Sequence, residues 1–379
     1  MVQSAYIHIP FCQHICHYCD FNKMFIERQP VEQYLDYLEK EIEHTVRKIP
    51  FQKLDTIFVG GGTPTALNMK QTERMLAIIH KHLHPLTDSY ELTFEANPGD
   101  LPKEKLQLLL DGGVNRLSFG VQSFQDELLK QIGRAHTKDD VITAVTEAKE
   151  VGFHNINLDL IYALPTQKIV DVEQTLQMAY ELDVQHFSAY SLIIEPKTVF
   201  YNLMQKGKLP IPSEENEAKM YELVMDEMER HGYHQYEISN FTKEGYESRH
   251  NLTYWNNESY YGFGAGAHSY LEGKRIQNVG PLKKYFSEID ETGFPYLDIH
   301  EVTKQEKMEE EMFLGLRKTE GVMKQKFLQK FHVGLEDVFL TQIAQHKQRG
   351  LLEETETAYR LTRAGKLLGN EVFQSFLMD

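Results

Sequence analysis

At 379 residues, with 41% hydrophobic and 25% charged side chains, the chain has the composition of a globular protein of two or three domains, which excludes a disordered one. Its formal charge of −16, from 40 basic and 56 acidic residues, disfavours a nucleic-acid binder working through phosphate contacts and tight electrostatic attachment to an anionic membrane. There is no run of about 18 apolar residues, and the N-terminus leads straight into Ala5-Tyr6-Ile7-His8-Ile9-Pro10 without an export signal, so a chain with no transmembrane helix in a reducing cytoplasm is expected.

The first feature along the chain is Cys12-Gln13-His14-Ile15-Cys16-His17-Tyr18-Cys19, which holds its only three cysteines. The C-x3-C-x2-C spacing offers three thiolates on one short loop, enough for three irons of a four-iron cluster with the fourth left open to a ligand. Three cysteines cannot pair off, so a disulfide framework does not suit them. A structural zinc site stays open on spacing alone, with His8, His14 or His17 as its fourth ligand.

Beyond this loop, strands and helices alternate. Tyr34, Leu35, Leu38 and Ile42 share one helical face, and Leu54–Val59 reads as a buried strand followed at once by Gly60-Gly61-Gly62-Thr63. A helix over about 69–83 precedes a strand at Tyr90–Glu95 that ends in Ala96-Asn97-Pro98-Gly99, and the next helix stops at Gly112-Gly113. Asn115–Phe119 is a short strand leading to Gly120-Val121-Gln122. Thr137-Lys138-Asp139-Asp140 opens a helix as a capping box. Asn155–Ile161 and His186–Leu192 are strands around a helix near 168–182, and a helix over about 214–231 closes at Gly232.

This alternation through about residue 235 predicts a parallel α/β sheet, open or barrel-like, whose ligands gather at the carboxyl ends of the strands. Glu95, Gln122 and Asp159 lie at those ends. A single carboxylate there is more often a helix cap or a solvated loop residue; three polar residues on one rim beside a glycine run point to a site. The glycine run lacks the Lys-Ser/Thr of a P-loop and the spacing of a dinucleotide fingerprint.

The pattern changes near residue 235, so domains at 1–235 and 236–379 are predicted. Tyr and Asn accumulate in His250-Asn251-Leu252-Thr253-Tyr254-Trp255 and in Tyr260 to His268. On residue types alone, Tyr254 and Trp255 read as core aromatics and His250 as a hydrogen-bonded loop residue. From about 300 the chain is helical, and Gly350–Glu353, Tyr359–Leu361 and a helix from Thr362 suggest a winged-helix-like tail used for packing or interaction rather than for reading DNA.

Taken together, Tyr6–Phe11, Cys12-x3-Cys16-x2-Cys19, Gly60–Thr65, Phe94–Asp100, Leu117–Phe124, Gly133-Arg134-Ala135-His136 and Asp159-Leu160-Ile161 resemble the radical S-adenosylmethionine (SAM) proteins. Over nearly the full length the chain resembles their oxygen-independent coproporphyrinogen III oxidase group, and within it the heme-chaperone branch. The resemblance implies an α/β fold, a partial (β/α)6 TIM-like barrel, with a smaller α+β C-terminal domain. It implies a [4Fe-4S] cluster on Cys12, Cys16 and Cys19, with SAM chelating the open iron. SAM contacts would come from Tyr6, Tyr18, Gly61, Gly62, Thr63, Glu95, Gln122, Arg134 and Asp159. Acidic, amide and guanidinium groups suit the hydroxyls, ammonium and carboxylate of that nucleotide.

Two departures bear on activity. The dehydrogenases of the group carry a further cysteine two residues after the third cluster ligand, where this chain has Phe21, and an N-terminal extension, whereas Tyr6 is the sixth residue here. By contrast, His250, Asn251, Tyr254 and Trp255 match the H-N-x-x-Y-W motif that the chaperone branch associates with heme, with His268 a weaker candidate. Histidine suits axial ligation, and Tyr and Trp suit a porphyrin face. The implied function is a heme chaperone serving acceptor hemoproteins such as membrane-bound respiratory enzymes, with a homodimer and transient residence at the inner membrane face as further expectations. Coproporphyrinogen III dehydrogenation is the alternative, another radical SAM reaction a third, and no catalytic residue is assigned.

Overall fold

The computed structural model describes residues 2–378. In chain order its strands are β1 (Ser4–Ile9), β2 (Phe11–Cys12), β3 (Met24–Phe25), β4 (Leu54–Gly61), β5 (Leu86–Ala96), β6 (Arg116–Gln122), β7 (Ile156–Tyr162), β8 (His186–Ser191), β9 (His234–Glu237), β10 (Asn240–Thr242), β11 (Tyr260–Phe263), β12 (His268–Leu271), β13 (Lys274–Asn278), β14 (Tyr296–Glu301), β15 (Val322–Met323), β16 (Leu352–Glu354) and β17 (Ala358–Leu361).

The six expected parallel strands are present as the block β1-β4-β5-β6-β7-β8. The helices Val31–Lys48, Met69–His82, Lys103–Asp111, Lys138–Val151 and Ile169–Glu181 lie between its strands in sequence, and the predicted capping box of Thr137 and Asp140 is formed. The sheet is mixed and does not close on itself. Strand β11 adds in parallel beside β1 and leads into the antiparallel run β12-β13-β14, while β10 and β9 extend the β8 edge in antiparallel fashion. These added strands lie in the stretch whose periodicity predicted none, because runs of three to six residues are too short to show an alternation.

Side-chain alternation decides where chemistry can sit. Along the parallel block, Ile7, Ile57, Val59, Leu92, Phe94, Leu117, Phe119, Leu158 and Phe187 are buried in the main apolar core with the helices. The intervening residues Thr56, Glu91, Thr93, Arg116, Ser118, Asn157, His186 and Ser188 are also buried, yet polar. Since neighbouring side chains on a strand point to opposite faces, one face of this sheet carries the core and the other a buried polar layer.

A second core gathers Met312, Leu316, Phe327, Phe331, Phe339, Ile343 and Phe376. It packs the helices Lys304–Gly315, Lys324–Phe331 and Leu335–Gln348 against the three-stranded sheet β15-β17-β16, as the winged-helix reading of the tail expects.

Candidate functional site

Strand β1 ends at Ile9, and the chain crosses the carboxyl end of the sheet into the cysteine loop. The loop is tied at both ends. Gly62 N–H donates to the Ile9 carbonyl at 2.8 Å, Thr63 N–H to Phe11 at 2.8 Å, and Ile26 N–H to Cys12 at 2.9 Å. His17 N–H donates to Ile132 at 3.0 Å, and the Lys23 ammonium to the Cys19 carbonyl. Cys12 is buried, Cys16 and Cys19 half-buried, and all three are free. Burial pushes the Cys12 thiol up to about 11 and raises Cys19 as well, so a bound metal has to displace their protons.

A chain of polar contacts closes around this loop. The Thr63 hydroxyl lies 3.8 Å from Cys12 Sγ and accepts from Asn97 Nδ2 at 3.1 Å; Arg134 Nη1 donates to Asn97 Oδ1 at 2.6 Å. Arg134 Nη2 then donates to the Tyr18 hydroxyl at 3.0 Å, returning to the cysteine loop. The ends of β4 and β5 and the turn after the helix Asp126–Gln131 are thereby stitched to Cys12 and Tyr18. Gly61 N–H donates to Glu95 Oε2 at 3.0 Å, and Asp159 accepts from Ser118 Oγ at 3.2 Å and Asn157 Nδ2 at 2.8 Å. Burial first, and then the Asp159 charge, raise the Glu95 carboxyl to about 7. Gln122 terminates β6 at φ 68°, a left-handed conformation that breaks the strand at the rim.

These residues fit a cluster with an amino-acid-like ligand. A Cβ on Gly62 would lie 2.9 Å from Cys12 Sγ, so backbone reaches the first thiol where no side chain fits. Arg134 Nε is buried without a partner, and Arg134 shares with His14, Cys16 and Asp100 the lining of a cavity of about 200 Å³. Among the described residues, no three His, Cys, Asp or Glu side chains are gathered around a single ion's position. Of the histidines that could complete a zinc site, His8 has both ring nitrogens engaged, by the Tyr6 hydroxyl at 3.1 Å and the Asn22 carbonyl at 2.7 Å, and His17 Nδ1 bonds the Gln131 carbonyl at 2.8 Å. Cys12, Cys16 and Cys19 would hold a cluster here, which would supply an electron to a bound SAM, and the strand-end residues would hold the nucleotide.

The H-N-x-x-Y-W motif lies elsewhere. It forms the helix Arg249–Trp255, laid across the polar face toward the amino ends of the strands. His250 is buried, with Nδ1 bonded to Thr56 Oγ1 at 2.8 Å and Nε2 to the Tyr254 hydroxyl at 2.8 Å. Burial and then the Arg116 charge hold its imidazole neutral, at about 3. The Glu91 carboxylate accepts from Ser248 Oγ and from the N–H groups of Arg249 and His250 at 3.1–3.2 Å, capping the helix. Thr56 is five residues before Gly61 on β4, about 16 Å along the strand at about 3.3 Å per residue, and the Phe58 ring, 5.2 Å from the His250 ring and 6.1 Å from that of Tyr6, lies between the motif and the glycine rim. Asn251, Tyr254 and Trp255 are half-buried; the Trp255 ring lies 4.6 Å under the Arg317 guanidinium, and its N–H has no partner. His268 is exposed at the start of β12.

Sequence reasoning missed Asn97, Glu91 and Arg116. Asn97 had a signal, the strand breaker that contains it. Arg116 had none: it is 2% exposed on the polar face with its Nε unpartnered, and its charge opposes protonation of Glu95 and Asp159.

Residues 6–179 match the radical SAM superfamily and residues 302–368 the HemN C-terminal domain. The chain is 56% identical to the heme chaperone HemW of Bacillus subtilis, covering 99% of each chain. The chain belongs to the HemW family. Escherichia coli HemW is 33% identical, covering 99% of this chain and 98% of that one. Among solved structures, the radical SAM enzyme coproporphyrinogen III oxidase (HemN) of Escherichia coli superposes with a TM-score of 0.87 at 25% identity, covering 99% of this chain and 90% of that one. This chain thus shares the radical SAM architecture expected from its cysteine loop, and with it the superfamily's [4Fe-4S] cluster and SAM.

Proposed function

We propose that this protein is a heme chaperone, which binds heme and passes it to acceptor hemoproteins such as membrane-bound respiratory enzymes. The observation that carries the reading is the chain-long identity of 56% to a protein named as a heme chaperone. Phe21, 62% exposed where the dehydrogenases have a further cysteine, points the same way. Residues 1–235 form the cluster and SAM unit in this reading and residues 236–379 the heme-bearing unit. Cys12, Cys16 and Cys19 hold the cluster, the nine rim residues hold SAM, and His250, Asn251, Tyr254 and Trp255 meet heme. Transfer takes place as a homodimer in transient contact with the membrane. No helix among the described residues is long and apolar enough to cross a membrane, so contact with one would be peripheral.

For His250 to reach iron, Nε2 must leave the Tyr254 hydroxyl, an exchange of about 1 kcal/mol for a neutral hydrogen bond. That requirement gives the test. Hemin titration followed at the Soret band is expected to show binding by wild type, its loss in His250→Ala, and equal or tighter binding in Tyr254→Phe, which frees Nε2. Unchanged binding in His250→Ala removes that residue from the heme site. Anaerobic incubation with SAM, a reductant and coproporphyrinogen III is expected to leave the porphyrinogen unchanged; formation of protoporphyrinogen would overturn the chaperone reading in favour of a dehydrogenase.

A further inference from the structure

The residue that follows the cysteine loop makes contacts that neither cluster ligation nor SAM binding explains. Asn22 Nδ2 donates to the carbonyls of Ala265 at 2.7 Å and Gly280 at 3.1 Å, more than 240 residues along the chain. Its own carbonyl accepts from His8 Nε2 at 2.7 Å, on the strand that leads into the loop. The opposing turn is shaped around it. A Cβ on Gly266 would lie 2.8 Å from Asn22 Cβ, and one on Gly280 would lie 3.3 Å from Asn22 Oδ1. Gly266 also holds φ 80°, a conformation that strains any other residue.

The turn is itself fixed from behind. Gly264 N–H donates to buried Glu41 at 2.8 Å, which also accepts from Asn278 Nδ2 at 2.6 Å and from the Tyr285 hydroxyl. The Tyr34 hydroxyl donates to the His8 carbonyl at 2.6 Å and lies 3.3 Å from Ala265 N. The cysteine loop therefore docks onto a rigid socket built by the C-terminal half. The chain leading into that socket is β11, which runs parallel to β1 and follows directly on the helix of His250. One segment, 249–280, thus spans from the heme-motif helix at the amino ends of the strands to the cluster loop at their carboxyl ends.

We propose that Asn22 is a positioning residue for the cluster, a latch that holds the cysteine loop in the Ala265–Gly280 socket and joins it mechanically to the heme-motif segment. The inference rests on reading Cys12, Cys16 and Cys19 as cluster ligands. Because coupling between two sites is reciprocal, loading the cluster stiffens residues 263–280 as well as the loop.

Hydrogen exchange of the full-length protein, with and without the reconstituted cluster, together with cluster removal by a ferrous chelator under anaerobic conditions, tests this. In the cluster-free protein, Asn22→Ala is expected to speed exchange at residues 13–25 and 263–268 while strands β5–β7 keep wild-type protection, which also shows that the variant is folded. In the loaded protein, Asn22→Ala is expected to lose its cluster about thirtyfold faster, the effect of losing two hydrogen bonds of about 1 kcal/mol each in net terms. Gly266→Ala, approaching the latch from the other side, is expected to do the same. Wild-type chelation rates in both variants, or exchange at 263–280 that ignores cluster loading, would overturn the latch. Failure of wild type to take up a cluster at all would remove the ligand reading, and the cluster-free exchange would still decide whether Asn22 holds the loop.

Discussion

Glu95 is a carboxyl with two tasks in conflict. It is buried beside Asp159, which raises it to about 7, while the Gly61 N–H and the charges of Arg134 and Arg116 oppose its protonation. An unfolded glutamate titrates near ~4.3. The folded protein therefore holds the extra proton between those values, and Glu95's contribution to stability, present in full at low pH, is lost as pH rises through about 7. Its proposed role in binding SAM runs the other way, since only the ionised form can accept from SAM's hydroxyl or ammonium groups without itself donating. SAM affinity measured by calorimetry is expected to rise through pH 7 in wild type. Glu95→Gln should bind SAM weakly at every pH, yet be more stable than wild type at pH 8 by urea unfolding. A pH-independent SAM affinity in wild type would take Glu95 out of the nucleotide site.

Among the elements, the helix Arg249–Trp255 depends most on tertiary contact. It has seven residues, too short to persist alone in water, and its donors are met by Glu91 and by the Ser248 side chain, which accepts from Asn251 N–H. Glu91→Ala leaves buried N–H groups without an acceptor, a cost of about 1–3 kcal/mol. The variant is expected to unfold at lower urea, and amides 249–255 should lose protection before those of β4. An unchanged midpoint would mean that β4 contacts, chiefly Thr56 to His250, hold the helix by themselves.

At the scale of the whole molecule, the described residues form two large apolar cores beside a small cluster around Leu164 and Phe200, and the two large cores need not share one fate. Phe327 is fully buried in the smaller one, 4.6 Å from the Phe331 ring and 6.2 Å from Phe339. Phe327→Ala is expected to cost that core about 3–5 kcal/mol. If the cores open separately, exchange accelerates across 312–376 while cluster retention and SAM affinity remain at wild-type values. A matching loss of protection in β5–β7 would show instead that the two cores unfold as one unit.

The cysteine loop, the glycine run after β4 and the polar residues at the ends of β5 and β6 were legible in the sequence because each is local, whereas Asp159, expected at a strand end, lies in the middle of β7. Thiol spacing, glycine clusters and strand breakers act within a few residues, and the alternation of strands and helices placed five of the six parallel strands, the count of six coming from the family resemblance. The motif around His250 was legible as residues, but not as a place. Only the tertiary structure laid it against Thr56 and Glu91, engaged both imidazole nitrogens, and buried Arg116 nearby. Asn22 shows the same limit, for its partners lie more than 240 residues away on a turn whose glycines make sense only once Asn22 fills the space they leave. Local chemistry determined what this chain can hold at its strand ends. Long-range packing decided how the two halves grip each other, because a hydrogen bond across the fold leaves no periodicity in the chain to announce it.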